Sequence, residues 1–415
     1  MCGRFTLTED NVDSAELVVV ASKLGVAHPP GSALWMPLGW GTLQALSFVP
    51  EPALRTNLLS ALLMAAAVFT LAVATQRWRP ETPAWAGALA GLLGGLAPLV
   101  WAQAIVTEVL ALQAFLGALA LVLVIDASTG RRWTAFALVL GLLSWNHPTG
   151  LALAVPLAAA ALLRSRPSRR EWPRVAAVFA APGVYTVAYL LLRADAPIAW
   201  GATGTLTGAW AHLSGAVYQR ATDFSAETLR GAIPAAIRVS LAQVPPPLWP
   251  LLPVGALLLA RARPLLAGAL GVTALLLVVF VAAYRATGHE DYLATVAFIE
   301  AMLAAWGIEA CWDWLRQRLP DRTTRVALAG CAIGLVAVWA TYVGARVTLR
   351  DDTSVLDEAR ATLAAAPPNA VIEVRGDFET FPLWYAQVLL GDRPDVTIRN
   401  RGALVPTIRG GVQVR

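Results

Sequence analysis

The feature that most limits this chain is a series of uncharged apolar runs, each near the roughly 20 residues that a helix needs to cross a hydrocarbon core about 30 Å thick. Inside a bilayer every backbone N–H and C=O must be satisfied within its own segment, so such runs fold as helices. They lie near 57–76, 84–103, 107–126, 132–146, 149–163, 174–193, 247–260, 264–284, 294–314 and 325–345. With 57% hydrophobic and 14% charged residues in 415, little is left for a water-facing surface, and the pattern predicts an all-α polytopic membrane protein of about ten transmembrane helices. The stretch PPGSALWMPLGWGTLQALSFVP is apolar but interrupted by Pro29, Pro30, Pro37, Gly39 and Gly41, which predicts an interfacial or re-entrant element.

Charge sets the expected orientation. The net charge of +5 comes almost wholly from arginine, Lys23 being the only lysine. In alternate short loops stand Arg77 and Arg79; Arg131 and Arg132; Arg164, Arg166, Arg169, Arg170 and Arg174; Arg261 and Arg263; and Arg316, Arg318, Arg322 and Arg325. This is the positive-inside pattern, so these loops are expected to be cytoplasmic, and a nucleic-acid partner is not expected. Residues 1–56, the turn at Glu108, the turn NHPTG, the long loop 194–246, the turn RATGHEDYL and the tail 346–415 then face outward. Asp13, Glu16, His28, Glu108, His147, His289, Glu290 and Asp291 all fall on that outer side. Ionisable groups near membrane helices are costly and mark function, so these form the candidate site residues. Both chain ends outside with no apolar core before Asp13 implies that a helix is missing there.

Local chemistry leaves two readings open at several of these positions. DSAE is a capping box, in which Asp13 or Ser14 bonds orphan N–H groups and Glu16 reaches back. His28, before Pro-Pro-Gly, has its direction restricted as a ligand contact requires, and an imidazole of near-neutral pKa there either bonds a ligand or solvates the end of an interfacial turn. Glu108 begins a span, where a carboxylate either complements the helix dipole or lines a cavity. In loop 194–246 a capping pattern at Ser225 to Thr228 opens an amphipathic run whose Arg230 and Arg238 either face lipid headgroups or meet a phosphate. The tail reads as a strand (AVIEVRGD), a helix (TFPLWYAQVLLG) and a second strand (DVTIRN), a small α/β unit packed on the outer loops. Three cysteines form no CxxC pair. No DxD or HxxxH spacing is present, so neither a metal nor a cofactor is expected, although carboxylates and histidines in this number leave room for a divalent ion.

DSAEL, LGVAHPPGSALW, RTNLLSALL, PLVWAQAIVTEVLAL, GLLSWNHPTGLALAVP, HEDYLATVAF and RGDFETFPLWYAQ, in that order, resemble the bacterial membrane family related to transmembrane protein O-mannosyltransferases, within the GT-C glycosyltransferase superfamily. The resemblance implies a GT-C-like transmembrane domain over 57–345, an outer acidic loop with the interfacial element over 1–56, and an extracytoplasmic α/β tail over 346–415. It further implies a polyprenyl-phosphate-linked sugar donor, a protein or glycan acceptor, a bacterial plasma-membrane location, and Asp13 as the catalytic base of an inverting transfer. This chain departs from the family at Ala15, where Gly is favoured, and in the helix usually found before the acidic loop. The rival expectations are a transporter or flippase for a lipid-linked substrate and a non-catalytic membrane scaffold.

Overall fold

The computed structural model describes residues 13–127, 131–285, 288–318, 321–347, 352–402 and 404–414. The segment before Asp13, including Cys2, and the turn at 286–287 lie outside the described residues, as do the side chains of Arg322 and Arg325. In chain order the helices of the bundle are α1 (Asp13–Ser22), α2 (Met36–Ala45), α3 (Pro52–Trp78), α4 (Ala84–Gly95), α5 (Pro98–Ile105), α6 (Leu110–Ala127), α7 (Trp133–Asn146) and α8 (Leu151–Arg164). They continue with α9 (Trp172–Leu192), α10 (Leu206–Leu213), α11 (Ala226–Leu241), α12 (Leu251–Ala262), α13 (Pro264–Ala283), α14 (Ala294–Arg318) and α15 (Arg322–Val347).

Every expected apolar run is helical, but the runs are not equal as spans. Six, in α3, α6, α9, α13, α14 with its leading turn, and α15, are long and apolar enough to cross a membrane. The run expected at 84–103 is instead the pair α4 and α5, bent by 67°. Its sequence LGGLAP explains the break: paired glycines weaken the helix, and Pro98 removes a donor and restricts the residue before it. Helices α7, α8 and α12, of 14, 14 and 12 residues, are short apolar helices. At about 1.5 Å rise per residue each falls short of the hydrocarbon thickness, and they pack on longer neighbours: α7 on α9, α8 on α13 and α12 on α14. The interfacial stretch holds the short α2 against α1.

Helices α6 and α14 are the covered centre of the bundle, while α15 lies at its edge with little of its surface buried. Where α12 crosses α14 the backbones nearly touch. A Cβ on Gly255 would stand 2.0 Å from the Leu303 carbonyl oxygen, and one on Gly307 would stand 2.3 Å from that of Leu251. Reciprocal small residues of this kind let membrane helices pack where no hydrophobic effect drives them together.

The arginine-rich turns gather at one end of the bundle and do more than set topology. Arg77 pairs with Asp126 at 2.5 Å, Arg79 with Glu309 at 3.1 Å, and Arg263 Nε donates to the Trp78 carbonyl at 2.7 Å. These bonds tie the ends of α3, α6 and α14 and the turn after α12 into one basic cap.

At the other end sits the tail: α16 (Ser354–Ala365), β1 (Val371–Val374), α17 (Asp377–Leu389), β2 (Thr397–Asn400), β3 (Thr407–Arg409) and β4 (Val412–Val414). Strands β1 and β2 are parallel with α17 as their crossover, and β2, β3 and β4 follow antiparallel, in sheet order β1-β2-β3-β4. The expected strand, helix and strand are present. Helix α16 and the β3–β4 hairpin, turning at Gly410–Gly411, extend them. The unit is bonded into the bundle: Ala53 N–H donates to the Tyr385 hydroxyl at 3.1 Å, Gln413 N–H to Pro197 O at 2.8 Å, and the Tyr385 hydroxyl to Glu51. Helix α17 packs along α1.

The α12–α14 contact makes a direct prediction. Gly255→Ala lowers the apparent thermal midpoint in detergent through overpacking of about 1–3 kcal/mol, whereas Gly268→Ala, whose added methyl meets open space, leaves it unchanged. Equal midpoints for the two variants would remove the close approach as a determinant of the fold.

Candidate functional site

The end of the bundle opposite the basic cap holds a cavity of about 790 Å³. Its walls come from seven regions of the sequence: the start of α1, the His28 turn, the α5–α6 junction, the α7–α8 turn, the long loop, α13 with its following turn, and the start of α17. Asp13, His28, Glu108, His147 and Asp291 all line it.

Helix α1 begins at Asp13, whose side chain is 44% exposed to the cavity. Ser14 and Glu16 do not form the expected capping box. The Ser14 hydroxyl donates to the Thr107 carbonyl at 2.9 Å, across 93 residues, and Glu16 turns inward to full burial. There its carboxylate accepts the His28 backbone N–H at 2.8 Å and meets His28 Nδ1 at 2.5 Å. His28 Nε2 lies 3.7 Å from the Asp13 carboxylate. Burial works against a charged ring, but Glu16 and Asp13 outweigh it and hold His28 up at about 10. The near-neutral imidazole expected from the sequence is therefore an imidazolium at pH 7, with its two nitrogens turned to two carboxylates. Beneath it, the turn is fixed by His212, whose Nε2 lies 2.9 Å from the Ala27 carbonyl. Burial keeps the His212 ring neutral, down at about 4.

Glu108 reaches the cavity because α3 presents polar groups toward it. Thr107 Oγ1 donates to Asn57 at 2.7 Å and lies 2.7 Å from the Thr56 hydroxyl, and Glu108 N–H donates to Ser60 Oγ at 3.2 Å. Thr56, Asn57 and Ser60 are fully buried. Burial, then the Asp13 and Asp291 charges, push the Glu108 carboxyl up to about 8, so it carries its proton at neutral pH. His147 Nδ1 lies 2.8 Å from the Thr149 hydroxyl, and its ring stacks on Tyr292 at 5.1 Å. Burial, then the His28 charge, keep His147 neutral, at about 4.

Other expected residues lie elsewhere. Arg230 and Arg238 are exposed and off the cavity wall, because α11 spends its apolar face, with Ile233, Ala236 and Val239, on α13. His289 and Glu290 line a second, neighbouring cavity of about 840 Å³ with Asp223 and Arg285. The sequence reading missed the polar face of α3, which a search for Thr, Asn and Ser at helical spacing inside an apolar run finds. It also missed Tyr218, Tyr284 and Asp377, all on the main wall. Among the described residues no three His, Cys, Asp or Glu side chains gather as a metal cage requires.

The wall has two chemistries. Helices α8 and α13, which pack on each other, give it apolar residues, Leu151, Ala152 and Val155 from the first and Leu276, Leu277, Val279 and Phe280 from the second. The turns and the starts of α1 and α17 give it the carboxylates, imidazoles and tyrosines. Such a cavity accepts an amphipathic molecule, greasy at one end and hydroxyl-rich at the other.

Known proteins match this arrangement. The family model for the protein O-mannosyl-transferase TMEM260 N-terminal domain matches residues 13–171, and that for TMEM260-associated domain 2 matches residues 355–405. No curated protein sequence matches the chain. The fold is similar to that of ArnT from Cupriavidus metallidurans bound to undecaprenyl phosphate, with TM-score 0.59 and 16% identity over 91% of this chain and 80% of that one. Against ArnT from the same organism in the apo state the TM-score is 0.56, with 17% identity over the same shares. Residues 13–171 thus match the N-terminal domain of the protein O-mannosyl-transferase TMEM260 family and residues 355–405 its associated domain 2, on a fold shared with ArnT, and together these support a membrane glycosyltransferase related to the transmembrane protein O-mannosyltransferases.

Proposed function

We propose that this protein transfers a sugar, with inversion, from a polyprenyl-phosphate monosaccharide to a hydroxyl of a protein or glycan acceptor, on the extracytoplasmic face of a bacterial plasma membrane. The observation that carries the reading is Asp13, an accessible carboxylate beside a fixed imidazolium, at a cavity with one apolar and one polar wall. The arginine-rich turns at the opposite end support the orientation. That ArnT, similar in fold, was crystallised with undecaprenyl phosphate supports the class of donor.

In the proposed reaction Asp13 takes the proton of the acceptor hydroxyl. The oxygen attacks the anomeric carbon, the bond from that carbon to the phosphate oxygen breaks, and polyprenyl phosphate leaves with the electron pair. The departing phosphate needs hydrogen-bond donors toward its oxygens. Protonated Glu108 and the hydroxyls of Tyr218, Tyr284 and Tyr292 on the wall supply them. His28 orients Asp13 rather than gripping the phosphate, since its nitrogens are directed to Asp13 and Glu16.

Two outcomes follow. Asp13→Asn keeps the size and much of the capping ability of aspartate but cannot take a proton, so initial transfer from a radiolabelled lipid donor falls about 10²–10⁴-fold at unchanged membrane abundance and thermal midpoint. Near-normal transfer by this variant, or transfer from a nucleotide sugar with lipid-sugar synthesis blocked, refutes the reading.

The second concerns pH. The Glu108 carboxyl donates a hydrogen bond only while protonated, and once ionised it repels the phosphate. Donor kcat/KM therefore declines as pH rises through about 8 and is retained below it. Glu108→Gln keeps a donor at every pH and loses this alkaline limb; an unchanged limb in the variant assigns it to another group.

A further inference from the structure

We propose that Asp377 and Phe378, brought to the cavity by the C-terminal unit, form the recognition element for the donor's sugar. This rests on the transfer reaction proposed above and adds to it which residues distinguish one sugar from another.

The turn before α17 is built to hold Asp377 in one place. Gly376 has φ +84°, a left-handed conformation that side chains rarely adopt. Its carbonyl accepts the Thr380 hydroxyl at 2.6 Å and Asn400 Nδ2 at 3.1 Å, and Asn400 Nδ2 also reaches Thr380 Oγ1 at 2.7 Å. Glu379 is tied into the same turn, accepting the Arg375 N–H at 2.9 Å. Among the described residues the Asp377 carboxylate makes no such tie, and it lines the cavity together with Asp13. A carboxylate fixed in direction yet absent from the structural bonding is available to a ligand.

Asp377 lines the same cavity as Asp13 and His28. Burial first, then the charges of Asp13 and Glu16, push the Asp377 carboxyl up to about 6, with His28 opposing. Around neutral pH it is still mostly ionised and accepts strong hydrogen bonds from hydroxyls. Beside it the Phe378 ring is 47% exposed although it sits on the cavity wall. An open aromatic face next to a carboxylate suits a pyranose, whose C–H face is apolar and whose edge carries hydroxyls.

Two arguments assign this pair to the donor. Its prenyl chain would take the apolar α8 and α13 residues of the wall, which leaves its sugar to the polar residues, Asp377 among them. A carboxylate also repels the phosphate and is tolerated next to the uncharged sugar. In this assignment the apolar helix surface holds the lipid, and Asp377 with Phe378 holds the sugar.

The test compares polyprenyl-phosphate donors that differ only in the configuration of one sugar hydroxyl. Wild type is expected to favour one epimer by at least about tenfold, the size of one or two charged hydrogen bonds. In Asp377→Ala, and in the near-isosteric Asp377→Asn should the alanine variant fail to fold, this preference shrinks to about threefold or less while acceptor KM stays constant. Phe378→Leu raises donor KM for both epimers alike. An unchanged epimer ratio in a folded Asp377 variant, equal use of both epimers by wild type, or a rise in acceptor KM instead of donor KM overturns the assignment and leaves the transfer reaction standing. Absence of transfer by wild type from every lipid-linked donor overturns both.

Discussion

The site depends on one buried contact, the pairing of Glu16 with His28. A carboxylate with no solvent exposure is tolerated only when it is matched, and Glu16 is matched twice by one residue, through the backbone N–H and Nδ1 of His28. That double attachment fastens the Pro-Pro-Gly turn to α1. It also sets the imidazolium between the buried carboxylate and the accessible one, Asp13. Removing His28 would leave Glu16 buried without its partner, and breaking a buried pair in this way typically costs about 3–5 kcal/mol. The direction of Asp13 is in this sense a consequence of where Glu16 is hidden.

Around that contact the bundle brings together two environments that rarely adjoin. Helices α8 and α13 carry the apolar side of the cavity up to its edge, while α3 sends a ladder of buried hydroxyl and amide groups to hold Thr107 and Glu108. Each of those polar groups is satisfied by another, so the ladder can exist inside a membrane helix pair without exposing a backbone group to lipid. The result is a carboxyl that keeps its proton at neutral pH in the same cavity as an accessible carboxylate, that of Asp13. In the proposed reaction, division of labour between the two would come from burial and neighbouring charge, not from residue type.

Much of this was legible in the sequence, because hydrophobic length and arginine placement are strong signals in a membrane protein. The positions of the apolar helices, the shared side of Asp13, His28, Glu108, His147 and Asp291, and the α/β character of the tail all follow from them. What the sequence concealed lies in contacts between distant segments. Averaged hydropathy passes smoothly over LGGLAP, so the sharp bend between α4 and α5 reads as one span. DSAE has the form of a capping box, and nothing local indicates that Glu16 is bonded to a residue twelve positions on. Arg230 and Arg238 sit on the polar face of α11, and periodicity alone does not say which way that face turns once Ile233 and Val239 find α13. Asp377 resembles any acidic residue in a first helical turn until the tail folds back on α1. The β3–β4 hairpin was within reach: Gly-Gly between short alternating segments is a strong turn signal.

The C-terminal attachment has a bearing on biosynthesis. The residues that anchor the tail extend to Gln413, bonded to Pro197 and Ala199, and one wall of the cavity comes from α17, which the strands after it hold in place. A ribosome inserting this protein makes the α8 and α13 wall before the α17 wall. The nascent chain therefore stands in the bilayer with a half-open cleft, and the cleft gains its α17 side only after the strands that hold this helix have been made.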